Sequence, residues 1–252
     1  MNIMRAGFGV FALSCVLVGA SNAVAQEWYT GARDGRQDNN FGGAIDLSLT
    51  GTSKGSMHGV LIGTIAPFSK LEETGMRLRI GGLLGSYSYT SPTAGLGSVT
   101  GRETSGNLLG GYEWVARNAT FAIYMGGEMQ NRTLSKPDPA NNATGVVGGF
   151  KVAVDFHMNP TPYTMASGNI TYSTIHNAYY ARFKGGLQVS GNVFAGPEVL
   201  VLGDDFYSQF RVGAHLTGAK FGPMQIGVSG GYVQDRRQGA GAYGILDARM
   251  QF

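Results

Sequence analysis

Apart from Cys15 near its start, the 252-residue chain has no cysteine. If the first 25 residues are removed, disulfides and thiol chemistry are excluded and stability has to come from elsewhere. Long apolar runs are also missing. The only candidate, Phe8 to Ala20, is too short and too soon followed by polar residues to cross a bilayer as a helix. No Lys/Arg-rich run occurs. With 19 basic and 16 acidic residues the formal charge is only +3, so a pI near 9 rests on a small excess and gives no case for a nucleic-acid partner. Catalytic and metal signatures are sparse too. There is no His-Glu-x-x-His pair and no His/Cys cluster among the four histidines. No enzyme activity, cofactor or metal is expected.

The first 25 residues read as a secretory leader. Arg5 gives the basic start, and Ala23-Val24-Ala25 precedes Gln26-Glu27 as a small-x-small cleavage site. A lipoprotein reading through Cys15 fails, because Ala12-Leu13-Ser14 lacks the aliphatic residue three before the cysteine. Cleavage near Ala25 removes one base and no acid. Residues 26–41 are then expected to form an N-terminal periplasmic segment, and residues 42–252 the folded domain.

What the chain does have is 41 glycines, a mean hydropathy near zero and alternation. From Tyr243 to Phe252, the residues Gly244, Leu246, Ala248, Met250 and Phe252 fall on one face of an extended chain, with Asp247, Arg249 and Gln251 on the other. One face suits lipid and the other water. Ile45, Leu47 and Leu49 oppose Asp46 and Ser48 in the same way, and Phe150, Val152, Val154 and Phe156 oppose Lys151, Asp155 and His157. In residues 76–89, Arg77 and Arg79 stand on alternate positions with Tyr87 and Tyr89 on the same face, which must point inward because arginine toward lipid is costly. Residues 57–65 are apolar on both faces and cannot be oriented. About twelve such segments predict an all-β, antiparallel, up-and-down transmembrane barrel in the outer membrane of a Gram-negative cell, with ten strands as the alternative. Loops 91–105, 135–144 and 233–241 are expected outside, and turns near 117, 160, 191 and 220 inside.

The expected inward charges nearly balance: Arg77, Arg79, Lys151, Arg182, Lys184, Arg211 and Arg249 against Asp46, Glu113, Glu128, Asp155, Glu198 and Asp247. Two readings follow. Paired clusters brace a narrow interior, since charges away from bulk water need partners, or a wet pathway contacts a passing solute. Bracing is favoured for most of them. Tyr87, Tyr89, Tyr124 and Tyr180 are placed in the same lumen, where ring faces suit sugars, although interfacial girdles also explain such aromatics. A lipid-modifying barrel enzyme would need a nucleophile, a histidine and an orienting group together at the lipid boundary. The histidines give little support: His157 and His215 fall on inward faces, His176 lies near a loop, and His58 has no evident partner.

The stretch Gly196-Pro-Glu-Val-Leu-Val-Leu-Gly-Asp204, then Tyr207-Ser-Gln-Phe-Arg-Val-Gly-Ala-His-Leu-Thr-Gly218, resembles the C-terminal half of the BcsS family of cellulose biosynthesis proteins. Val228-Ser-Gly-Gly-Tyr232 and Gly239-Ala-Gly-Ala-Tyr-Gly244 continue the resemblance, and Arg77-Leu-Arg79 with Tyr87-Ser-Tyr89 resembles the N-terminal half. The resemblance implies an outer-membrane component of cellulose production or export, with cellulose or cellulose-synthase export components as partners besides outer-membrane lipid. It supplies no catalytic residues. Glu198, Asp204, Gln209, Arg211 and His215 are the candidate interior contacts within the matched stretch, and a network that pairs the last four strands is the plainer role for them. A general small-solute porin or a structural barrel is the competing reading.

Overall fold

Side chains that alternate with period two give each strand one lipid face and one interior face. In the computed structural model, which describes residues 42–141 and 143–252, this pattern forms twelve antiparallel strands. The proposed leader and the 26–41 segment lie outside the described residues. In chain order the strands are β1 (Gly42–Thr52), β2 (Met57–Ala66), β3 (Gly75–Thr90), β4 (Ser98–Val115), β5 (Ala119–Leu134), β6 (Gly145–Thr161), β7 (Thr164–Ser173), β8 (Ala178–Ser190), β9 (Val193–Asp204), β10 (Tyr207–Phe221), β11 (Met224–Asp235) and β12 (Gly239–Gln251). A single turn of 3-10 helix, Ile175–Asn177, joins β7 to β8. Each strand pairs with its sequence neighbours and β12 returns to β1, so the sheet closes and leaves no edge unpaired in lipid.

The closing seam is reinforced from inside. Asp46 on β1 stands opposite Arg249 on β12 and accepts from its Nη1 at 3.1 Å. One step along, the Ser48 hydroxyl donates to Asp247 at 2.8 Å. The outward face carries exposed Ile45, Leu61, Ile80, Leu108, Met125, Phe150, Leu187 and Leu246. Near the end that holds the start of β1 and the finish of β12, Tyr112, Trp114 and Phe121 pack in series, with centroids 5.0 and 5.7 Å apart. Tyr172, Tyr179 and Tyr232 are exposed toward the opposite end. Two aromatic bands at the two interfaces are what a bilayer demands. By the usual orientation of such barrels the first end is periplasmic and the second, with the longer connections, is the loop end.

Several boundaries differ from the sequence reading. The 91–105 loop shrinks to residues 91–97, because Ser98 to Ser105 pair with β3 and β4 begins at Ser98. The 233–241 loop shrinks to 236–238 for the same reason. Pro160 lies inside β6, beside a register shift between Met158 and Thr161 that accommodates its missing donor. β2 also acquires an orientation: Met57 and Leu61 face out, while His58, Val60 and Ile62 line the interior.

Glycines on the inner wall let large rings lie flat against it. A Cβ at Gly111 would come 2.4 Å from the Tyr124 ring, and one at Gly101 would come 2.3 Å from Tyr87. Gly196 on β9 is tighter still, because a Cβ there would meet the backbone carbonyl of Gly185 at 2.0 Å and no side chain can yield. Gly196→Ala is expected to destabilise the barrel by about 1–3 kcal/mol, read as a lower urea midpoint in lipid. An unchanged midpoint would mean that β8 and β9 separate freely at this point.

Candidate functional site: the barrel lumen

The periplasmic end of the lumen is filled. Arg77 on β3 is fully buried and donates from Nε to Glu113 of β4 at 2.7 Å. Its two amino groups reach Ser69 Oγ at 3.0 Å and the carbonyls of Met76, Leu71 and Glu73 at 3.0, 3.1 and 2.5 Å. The connection between β2 and β3 therefore folds back onto one guanidinium. Beside this cluster Met165 packs on Phe194, and His157 meets Asn159 at 2.9 Å. His215 bonds Thr217 at 2.9 Å and the Gly185 carbonyl at 3.1 Å.

Next along the axis comes a belt of ion pairs, three of which join strands that are not neighbours. Arg79 on β3 reaches Asp155 on β6 at 2.5 Å and lies 3.6 Å above the Tyr124 ring, while Asn169 donates to the same carboxylate. Arg182 on β8 contacts Glu198 on β9 at 2.7 Å and Asp247 on β12 at 2.9 Å. Lys184 also reaches Asp247, at 3.0 Å. Glu198, with no exposed surface, takes further bonds from Ser229 and Tyr243, both at 2.9 Å. The β8-to-β12 contacts span the lumen. Buried ion pairs of this sort add little net stability, but each carboxylate becomes costly to leave without its cations.

Above the belt lies a cavity of about 460 Å³, lined at its base by Asp46, Arg79, Asp155, Lys184, Asp247 and Arg249 and at its top by Tyr89, Phe206, Arg237 and Gln238. Its β2–β3 wall is apolar, with Val60, Ile62 and Leu83, and Tyr87, Tyr180 and Tyr207 also line it. Higher up, Arg132 on β5 reaches Glu103 on β4 at 3.2 Å and Asp204 on β9 at 2.6 Å, a second strut across the barrel. At the loop end the Tyr89 hydroxyl donates to Asp138 at 2.8 Å, Asn141 donates to Tyr89 at 3.2 Å, and Gln238 donates to the Ser88 carbonyl. Burial acts to raise the pKa of Asp138, but hydrogen bonds from Tyr89, Ser91, the Ala140 N–H and Thr93 outweigh it and hold the carboxyl below its ordinary value. These contacts tie the 135–144 loop and the 236–238 connection to β3.

All thirteen charges expected inside do face the lumen. Of the candidate contacts, Arg79, Tyr87, Tyr89, Asp204 and Arg211 line the cavity, while Arg77, Glu198, Gln209 and His215 sit in the filled regions or behind its wall. They do not converge on one point. Residues not singled out from sequence are Arg132, Glu103, Asp235, Tyr207 and Tyr243, together with His58 as a cavity residue. Parity along β5 carries a signal for Arg132, because it shares a face with Glu128 and Gln130. Gly-x-Ser-x-Gly does occur, at residues 51–55 and 227–231. Ser53 caps the β1–β2 turn by accepting from the Ala242 N–H at 2.9 Å, and Ser229 bridges Arg182 and Glu198. Neither serine sits on a strand-to-helix elbow.

The family described as cellulose biosynthesis protein BcsS matches residues 39–252. No individually curated protein matches the chain. Among solved structures, the translocator domain of autotransporter NalP from Neisseria meningitidis is similar, with TM-score 0.50 and 13% identity over 84% of this chain and 89% of that one. The transport unit of autotransporter AIDA-I from Escherichia coli follows with TM-score 0.48 and 9% identity, covering 90% of this chain and 95% of that one. The KdgM porin gives TM-score 0.43 and 9% identity, covering 83% and 99%. At such identities the likeness concerns the barrel fold alone.

Proposed function

The chain belongs to the BcsS family of cellulose biosynthesis proteins, and from that premise we propose that it acts in the outer membrane as a barrel that organises cellulose at the cell surface, with its loop-side cavity and rim meeting the glucan. The observation that carries this reading is the ion-pair belt around Asp247, which crosses the lumen between β8 and β12 and stands above an already filled periplasmic end. A polymer or a small solute passing through would have to part these pairs, each of them desolvated. A neutral glucan needs no strong field to meet the cavity, in keeping with lumen charges that nearly balance. The tyrosine rings at its mouth offer faces of the kind on which sugars stack.

Surface cellulose tests the proposal. Dye binding is expected to fall in a clean deletion strain with the synthase still present, and to return on complementation. Unchanged dye binding while the synthase is induced would remove this barrel from cellulose production. A passage reading remains as the second one, favoured by the depth of the cavity, which runs from the loops down to the belt. It requires the belt to open, and conductance separates the two.

A further inference from the structure

Arg211 differs from the other lumen cations below the rim, where the exposed Arg237 lies. Arg77, Arg79, Arg132, Lys151, Arg182, Lys184 and Arg249 each have a carboxylate within ion-pair distance. Arg211 on β10 is only 2% exposed, and among the described residues it has none. Its Nε and Nη2 share one acceptor, the Gln209 amide oxygen, at 3.0 and 2.7 Å. The charge is relayed only through that amide, whose nitrogen donates to Asp235 at 2.9 Å. The Tyr243 ring lies 5.5 Å away. Nη1 completes no hydrogen bond of normal geometry among the described residues, although the Tyr207 hydroxyl lies beside the guanidinium. Tyr207, four residues back on the same face, has a buried hydroxyl that completes no hydrogen bond of normal geometry among the described residues, with Ser56 and Arg211 as its polar neighbours. Both residues line the cavity of about 460 Å³, which lies within the range of small-molecule sites. His58 lines it from β2.

A buried cation without a counter-charge among the described residues, beside a buried hydroxyl that completes no hydrogen bond there, calls for a further acceptor. We propose that this corner of the cavity binds the carboxylate of a sugar-sized acid, with Arg211 Nη1 and the Tyr207 hydroxyl as its donors. One uncompensated guanidinium matches one negative charge. A dianion such as phosphate would carry a second charge toward Asp235, Glu103 and Asp204, which line or flank the same space. The polar lining from Ser56, Asn107, Asn141 and Ser173 suits the hydroxyls of such an acid. The site lies in the cavity that the cellulose reading opens to the glucan but does not rest on that reading, since a barrel without it could still organise glucan at its rim.

Calorimetric titration of the purified, detergent-solubilised barrel with glucuronate, glucose and inorganic phosphate tests the site, with folding checked by heat-modifiable gel mobility. Glucuronate is expected to saturate one site, and glucose to show no saturation. Arg211→Gln should weaken glucuronate by about tenfold or more, the scale of one charged hydrogen bond. Tyr207→Phe keeps the charge and the fold, and should weaken glucuronate severalfold, so the proposal remains testable if Arg211→Gln fails to assemble. No saturable glucuronate binding, wild-type affinity in both variants, or equal binding of glucose would overturn the proposal. Phosphate binding more tightly than glucuronate, and depending on Arg211, would overturn the carboxylate assignment in favour of a dianion site.

Discussion

Asp247→Ala is expected to lower barrel stability by about 3–5 kcal/mol, the largest loss of any single lumen change. The Asp247 side chain is 11% exposed, bonds Lys184 at 3.0 Å and Arg182 at 2.9 Å, and accepts from Ser48 at the closing seam at 2.8 Å. Its removal leaves two desolvated cations facing Glu198 as their shared carboxylate, with Lys184 at 3.9 Å. Urea unfolding in lipid vesicles, followed by tryptophan fluorescence, measures the loss. The mechanism makes a second, sharper demand. If the damage comes from stranded charge, replacing Arg182, Lys184, Glu198 and Asp247 together by apolar residues of similar volume should restore most of the stability, because the desolvation cost disappears with the charges. A multiple variant weaker than Asp247→Ala would show instead that the belt itself holds the barrel together.

The second large effect is expected at Arg77. Five of its acceptors are Glu113, Ser69 and the carbonyls of Met76, Leu71 and Glu73, spread over three nitrogens. Lysine carries three donors on a single atom and cannot reach a set arranged around a planar fork. Arg77→Lys should therefore leave Glu113 and the 67–74 connection short of partners, at a cost of about 3 kcal/mol or more. Trypsin gives the local readout, because Lys70 lies in that connection. The variant is expected to be cut there from the periplasmic side at a protease concentration that leaves the wild type intact. Equal resistance would mean that the connection is held by other contacts.

What the sequence makes legible in this barrel follows from period two. Once Arg77 and Arg79 are on alternate positions, lipid excludes that face, and the rest of β3 follows, including Tyr87 and Tyr89. The same logic placed all thirteen expected charges inside. It gives no orientation for β2, where both faces are apolar because Val60 and Ile62 line an apolar wall of the cavity. It shortened β4, because Ser98 to Ser105 is rich in serine, threonine and glycine and reads as loop, whereas the hairpin with β3 continues through it. Partner choice was beyond its reach. Arg132 meets Asp204 at 72 residues' separation, and Arg182 meets Asp247 at 65. Such pairs depend on strand tilt and on how far register advances around a closed sheet, and neither leaves a local pattern. That Arg211 has no carboxylate partner among the described residues is hidden for the same reason, since it depends on every other strand.

The most direct test of a closed lumen is the current carried by the purified barrel in a planar lipid bilayer at high salt. The structure predicts insertion without a stable open-channel current, and step conductance appearing only when the belt is removed, as in the Arg182, Lys184, Glu198 and Asp247 variant. A steady ohmic current through the wild-type barrel, unaltered by those substitutions, would contradict the closed lumen and return the molecule to the general-porin reading.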